Sequence, residues 1–380
     1  MIITLVYIEN FIFSFYDIIN TCLIKKQRKS AGVSLVNKIL IKEISEQPDI
    51  IANLIHNEEE HVNKICANLK GKFDYILIAA RGTSDNAARY AQYLLGSHNN
   101  IQVALATPSL FTIYKTPPSL KRALVMGISQ SGQSPDIVAV LDTAQKQGRP
   151  TICITNDESS PLAHVSDFII PLKAGNEKAI AATKTYTSSL SALALFSCLL
   201  NHDKFKLEDL KKLPQKISET LNNTLDKIEQ TSRYRYIEHC VVIGRGYNYS
   251  TAFEISLKIK ELTRVIAVPY SSADFKHGPI ATVNQGFPIF IVAPSGKMFE
   301  HIFDFTEKLL NLGAELIVIS DKQKILNRGK AVFNLPNGIP EWLSPITSVI
   351  PGQLFARHLA IEKGYDSDKP KGLSKVTETF

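Results

Sequence analysis

The chain has little cysteine and no close cysteine pair. Its five cysteines, Cys22, Cys66, Cys153, Cys198 and Cys240, lie far apart, with no C-x-x-C spacing. That excludes a disulfide framework and a thiolate zinc site. Four of the five sit inside apolar helix or strand patterns and read as buried free thiols in a reducing, cytoplasmic setting. No other metal-ligand constellation is visible, so neither a metal nor another cofactor is expected. The chain also lacks a G-x-x-x-x-G-K-[ST] loop, which argues against a nucleotide triphosphatase. Gly244-Arg245-Gly246 begins like a dinucleotide fingerprint but has Tyr249 where the third glycine belongs. No zinc-finger, homeodomain or basic-zipper spacing accompanies the formal charge of +7, and Lys and Arg are spread along the chain. Nucleic acid is therefore not an expected partner, whereas a mild basic excess suits an anionic substrate. A membrane span needs about 20 nearly uncharged apolar residues, and Glu9, Asn10, Asp17 and Asn20 interrupt the apolar stretch over 1–24. Residues 1–36 thus read as a partly buried or disordered N-terminal extension, with no membrane anchor.

What is present is a globular composition, 44% hydrophobic and 21% charged over 380 residues, with room for about two domains. One plan fills that room twice. A strand over Tyr75–Ala80 runs into Gly82-Thr83-Ser84, and another over Ala123–Ile128 runs into Ser129-Gln130-Ser131-Gly132-Gln133-Ser134. In the second half, Cys240–Ile243 runs into Gly244-Arg245-Gly246 and Pro288–Ala293 into Pro294-Ser295-Gly296, both glycine pairs being offset by 164 residues. A shared offset marks a duplicated unit. Short β-branched runs alternate with helical stretches in each copy, which is the signature of an α/β fold with a parallel sheet flanked by helices. Ligands of such sheets bind at the carboxyl ends of the strands, where these loops lie.

Only the first copy keeps the hydroxyls. Ser129 to Ser134 precede Pro135, a residue at home in a first helical turn, and backbone amides there attract an anion. Alone, the loop reads equally as a serine-rich helix cap. Thr83 and Ser84 at the equivalent strand end favour a phosphate, because two hydroxyl loops facing one crevice are hard to explain by capping. In the second copy, the helical pattern over Thr251–Leu262 stacks Glu254, Lys258 and Glu261 along one line, while Ala252, Ile255, Ile259 and Leu262 form an apolar stripe. A solvated Glu/Lys ladder is the commoner meaning of that spacing. Its start at the strand-end crevice, and the Lys276-His277-Gly278-Pro279 turn that follows, favour a site instead. Carboxylate and imidazole are the pair needed for sugar ring opening and proton transfer between adjacent carbons.

With these residues in hand, the chain resembles the double sugar isomerase (SIS) domain proteins, similar to the isomerase half of glucosamine-6-phosphate synthase, over roughly Glu43 to Phe380. The matching stretches are Gly82-Thr83-Ser84, Ser129-Gln130-Ser131-Gly132, Ala181 to Thr187, Gly244-Arg245-Gly246, Glu254 through Glu261, Lys276 to Pro279 and Leu373-Ser374-Lys375. The resemblance implies two tandem flavodoxin-like three-layer sandwiches. It assigns Ser84, Ser129, Gln130, Ser131 and Ser134 to binding of the sugar phosphate, and Thr83 and Glu254 are taken as further substrate-binding residues beside them. Glu261 would move the proton between C1 and C2, and His277 would open the ring from the neighbouring subunit of a homodimer. Lys258 and Lys375 would attend the C2 nitrogen or carbonyl, Lys375 from a tail that closes over the substrate. The expected layout is an extension over 1–36, a phosphate-binding domain over 37–203, a helical connector over 204–230, a domain with the catalytic helix over 231–365 and a lid tail over 366–380. By composition alone that tail reads as a loose end.

The synthase carries a glutaminase whose cysteine follows the initiator Met, whereas residue 2 here is Ile. The expected activity is accordingly that of an isomerising deaminase, converting glucosamine 6-phosphate to fructose 6-phosphate and ammonia, and the Ala174–Lys184 segment resembles that subgroup. The alternatives are an ammonia-dependent synthase, an isomerase of another hexose phosphate, or a non-catalytic sugar-phosphate sensor. Asp274-Phe275 departs from the synthase pattern and puts the shape of the loop before His277 in question.

Overall fold

The computed structural model of the chain describes residues 37–375, so the extension over 1–36, Cys22 and tail residues 376–380 lie outside the described residues. Residues 39–375 belong to one compact unit. Among the described residues, ten strands form two separate five-stranded parallel sheets. The first sheet holds β1 (Tyr75–Ala79), β2 (Gln102–Leu105), β3 (Ala123–Ser129), β4 (Thr151–Thr155) and β5 (Phe168–Pro171) in the order β2-β1-β3-β4-β5. The second holds β6 (His239–Gly244), β7 (Ile266–Ser271), β8 (Pro288–Val292), β9 (Glu315–Ser320) and β10 (Ala331–Asn334) in the order β7-β6-β8-β9-β10. By rank within each half these are one and the same order, so the duplication read from the 164-residue offset is a duplication of topology. In this order the chain reverses direction between β1 and β3, and between β6 and β8, which opens a crevice at their carboxyl ends.

Helices on both faces bury both sets of alternating side chains, so β3, β4 and β8 are buried at every position and their sequences are mainly apolar, with Ser129, Thr151 and Thr155 at strand ends. Among the described residues, the α-helices of seven residues or more are α1 (Ile39–Ser45), α2 (Gln47–Leu69), α3 (Gly82–Asn99), α4 (Pro135–Lys146), α5 (Lys184–Leu200), α6 (Lys204–Lys211), α7 (Leu213–Leu225), α8 (Tyr249–Thr263), α9 (Phe299–Asn311) and α10 (Ser344–Glu362). One continuous apolar core takes residues from the inner faces of both sheets and from α2, α3, α5, α8 and α10, which fixes the two copies against each other. Two smaller cores lie under α4 and α9 on the outer faces. The stripe Ala252, Ile255, Ile259 and Leu262 faces the shared core and is at most 2% exposed.

Several boundaries move. Helix α3 starts at Gly82, so the Gly-Thr-Ser motif forms its first turn rather than a preceding loop. The 204–230 connector is two helices and a 3-10 turn, with α7 starting at Leu213 and Pro214 in its first turn, where a missing N–H costs nothing. The tail is not a loose end over its described part. Both Asp368 carboxylate oxygens accept bonds from the first amides of α1, Ile39 N at 3.0 Å and Leu40 N at 2.9 Å, and Ile180 N donates to Asp368 O. Cys66, Cys153, Cys198 and Cys240 are buried free thiols, and burial pushes Cys66 up to about 12 and Cys153 up to about 11, which keeps them unreactive. Among the described residues, no helix is long and apolar enough to cross a membrane.

Candidate active site

The hydroxyl loop leaves β3 and turns at Gly132, whose φ of +62° L side chains rarely adopt. A Cβ there would stand 2.1 Å from Ser160 Oγ, so the turn requires glycine on steric grounds as well. Gly132 N donates to Ser129 Oγ at 3.1 Å and Gln133 N to Ser131 Oγ at 3.3 Å. Both hydroxyl oxygens thus accept from the loop's own backbone, which leaves each hydroxyl proton to donate outward. Ser134 stands at the N-cap position of α4, yet its side chain makes no capping bond. The cap reading of this serine run therefore does not hold. What remains is a loop of half-buried hydroxyls and helix-start amides, the donor set that suits a phosphate.

Across the crevice, α3 of the first copy packs on α8 of the second and closes a charged group between them. Glu254 and Lys258 are fully buried, which rules out a solvated ladder. Lys258 Nζ lies 3.3 Å from Glu254, donates to Glu261 at 2.6 Å and donates to the Thr83 hydroxyl at 3.2 Å. Thr83 in turn donates to Glu254 at 3.2 Å, and Asn86, one turn on, donates to the other Glu254 oxygen at 2.7 Å. Burial opposes the Lys258 ammonium, but the Glu254, Glu261 and Glu177 carboxylates outweigh it and hold Lys258 above the usual lysine range. Burial raises Glu254, an effect the Lys258 charge and the Asn86 bond only partly offset. A lysine held protonated is a fixed charge and a donor, not a nucleophile. Glu261 alone of the three keeps some exposure, 22% of its side chain. With Arg264, Tyr365, Asp366, Lys369 and Lys371 it lines a cavity of about 220 Å³.

Lys375 comes to the first copy's Ala174–Lys184 segment, where its ammonium donates to Glu177 Oε2 at 2.7 Å and to Ala179 O at 2.8 Å. His277 closes the 3-10 turn Asp274–Lys276, its imidazole exposed. Among the described residues, no hydrogen bond or ion pair joins that imidazole to Glu261 of the same chain. The Asp274-Phe275 departure shapes this turn: Ser271 Oγ and Asp274 Oδ2 pair at 2.8 Å, and Phe275 is buried against Tyr270 and Phe305.

The second copy's loop is already occupied. Glu341 accepts from Lys297 N at 2.9 Å and Met298 N at 3.2 Å, the positions equivalent to Gln133 and Ser134. Gly296 permits that approach, since a Cβ there would meet the Glu341 carboxyl carbon at 2.2 Å. Ser295 spends its amide and its hydroxyl on Asp321. Two carboxylates therefore take this loop's donors, whereas in the first copy Gln133 N turns back to Ser131 Oγ and no carboxylate enters the loop among the described contacts.

The fold brings Thr83, Glu254, Lys258 and Glu261 into one contact group, places Ser84 in the same first turn of α3, and sets Ser129, Gln130, Ser131 and Ser134 at the neighbouring strand end. Asn86, Glu177 and Glu43 are additions that motif reading passed over. Glu43 accepts from Lys178 N at 2.5 Å and braces the same segment as Glu177. Of these, Asn86 carried a signal, since it falls one turn after Thr83 on the same helix face.

The family model for the SIS domain matches residues 72–198 and 235–363. The chain is 34% identical over 342 residues to the isomerizing glutamine–fructose-6-phosphate aminotransferase of Pyrococcus horikoshii, covering 88% of this chain and 57% of that protein. It is 32% identical over 367 residues to the Bartonella quintana enzyme of the same name, covering 90% and 60%. The chain thus spans somewhat over half the length of these curated relatives. Among solved structures, the C-terminal domain of glucosamine-fructose-6-phosphate aminotransferase from Francisella tularensis superposes with a TM-score of 0.80 at 28% identity, covering 90% of this chain and all of that one. The glucosamine-6-phosphate deaminase of Thermotoga maritima shares the fold, with a TM-score of 0.72 at 24% identity over 90% of this chain and all of that one. With both copies matched by the model and the two sheets in the same order, the chain belongs to the SIS domain family.

Proposed function

We propose that the chain converts glucosamine 6-phosphate and water to fructose 6-phosphate and ammonia, as a cytoplasmic homodimer. The observation that carries the reading is the Glu261 carboxylate fixed 2.6 Å from a buried ammonium, beside the first turn that holds Thr83 and Ser84. In this mechanism Ser84, Ser129, Gln130, Ser131 and Ser134 hold the phosphate, and His277 of the partner subunit opens the ring. Glu261 takes the proton from C2 and returns it to C1, which turns the C2 amine into an imine. Water adds to that imine and ammonia leaves, giving the ketone. Lys258 and Lys375 supply positive charge beside C2 as electron density shifts.

The names of the relatives at 32–34% identity favour a second reading, the reverse amination of fructose 6-phosphate. One assay separates the two: ammonia release from a panel of 2-amino-2-deoxyhexose 6-phosphates, run beside amino-sugar formation from fructose 6-phosphate and ammonium. Stoichiometric ammonia and fructose 6-phosphate from glucosamine 6-phosphate support deamination. Ketose–aldose exchange on nitrogen-free hexose phosphates, with no ammonia from any amino sugar, would sink it.

A further inference from the structure

Glu177 carries a buried charge that the mechanism above does not use. It lies in the irregular segment between β5 and α5, with a side chain at 0% exposure. Its two oxygens divide their work. Oε1 accepts from Thr183 N at 2.9 Å and Thr185 N at 3.2 Å, while Oε2 accepts from Thr185 Oγ1 at 2.8 Å and Lys375 Nζ at 2.7 Å. The carboxylate thus accepts three bonds from Thr183 and Thr185 at the start of α5, and the tail lysine is the fourth partner.

The segment itself is braced. Glu43 of α1 accepts from Lys178 N and Ala179 N, and Asp368 O accepts from Ile180 N at 3.2 Å. Asp368 also staples the base of the tail to α1, so Lys375 approaches Glu177 from an anchor seven residues away. A buried carboxylate without its counter-charge is costly, and that cost acts as a pull on the tail lysine.

We infer that Glu177 is the positioning residue for the tail: its carboxylate draws Lys375 in and sets where the tail closes over the crevice. Its hold on the tail would then pass through Lys375, while its charge also acts on Lys258. The inference rests on the deaminase reading only for its activity readout, and tail closure can be read without any substrate.

The experiment is a double-mutant cycle on the full chain with Glu177→Gln and Lys375→Met, reading the rate of tryptic cleavage after Lys371 in buffer alone. Glu177→Gln keeps an oxygen for the Thr183 and Thr185 amides; Lys375→Met leaves the segment untouched, so it reports on the pair even where the first variant folds poorly. Each single change is expected to speed cleavage by about tenfold or more, and the double change no further. Turnover of glucosamine 6-phosphate is expected to fall in each variant, most where Lys375 itself is removed. Wild-type cleavage in Glu177→Gln, or cleavage gains that multiply in the double variant, would overturn the assignment. If the wild-type chain releases no ammonia, the deaminase reading fails while the cleavage cycle still decides this one.

Discussion

The Thr83 hydroxyl of the first copy lies 3.2 Å from the Lys258 ammonium of the second, and both side chains close one buried group with Glu254. The contact joins residues 175 positions apart and sits where the two duplicated units meet. It makes the charge balance of the site a property of the whole fold.

Removing the ammonium therefore tests stability with a pH signature. Lys258→Met leaves Glu254 buried without its counter-charge, a loss of about 3–5 kcal/mol. Burial already raises Glu254, and without Lys258 it rises further. A carboxyl raised in the folded state stabilises the fold below its unfolded value, and that contribution is lost as pH rises through the folded value. The deficit against wild type is expected to be largest near pH 8 and to shrink toward pH 5, read from denaturant midpoints. A deficit equal at both pH values would remove Glu254 as its cause. Adding Glu254→Gln is expected to restore part of the loss at pH 8.

The hydroxyl loop makes a prediction about affinity. Ser131→Ala with Ser134→Ala is expected to raise KM for the phosphorylated sugar strongly, since bonds to a charged group contribute about 1.5–3 kcal/mol each. Turnover of unphosphorylated glucosamine, poor in wild type, is expected to be unaffected by the double change. Unchanged KM for the phosphorylated sugar would take the loop out of phosphate binding.

The shared-site proposal is tested by complementation. Chains carrying His277→Asn and chains carrying Glu261→Gln are each expected to be inactive. Mixed under exchange conditions, hybrid dimers place both changes in one site and leave the other intact, restoring up to about a quarter of wild-type activity. Mixtures that exchange subunits and stay inactive would place His277 in its own chain's site or in a structural role.

The fold was legible because its signals are local. The two glycine offsets, the apolar runs of β3 and β8 and the Ser129–Ser134 loop each lie in a short stretch of chain, and the sheets follow them closely. The site was legible as residues but not as contacts. Glu254 and Lys258 at i and i+4 read the same whether solvated or buried, and only the packing of α3 on α8 decides. Glu177 lies in an irregular segment with no periodicity to mark it. The polar tail read as loose because its anchor, Asp368 on the first amides of α1, spans more than 300 residues. Nothing in the letters of the Pro294-Ser295-Gly296 loop points to Glu341, which fills it from a distant turn.

The most direct test of the central claim follows the proton and the nitrogen together. Glucosamine 6-phosphate is incubated with the chain in D2O, and ammonia and fructose 6-phosphate are measured with the deuterium content at C1. The account predicts the two products in equal amounts, deuterium at C1 only to the extent that the Glu261 proton exchanges with solvent, and a turnover lowered by about 10² to 10⁴ in Glu261→Gln. Ammonia without fructose 6-phosphate, or a Glu261→Gln variant as fast as wild type, would contradict it.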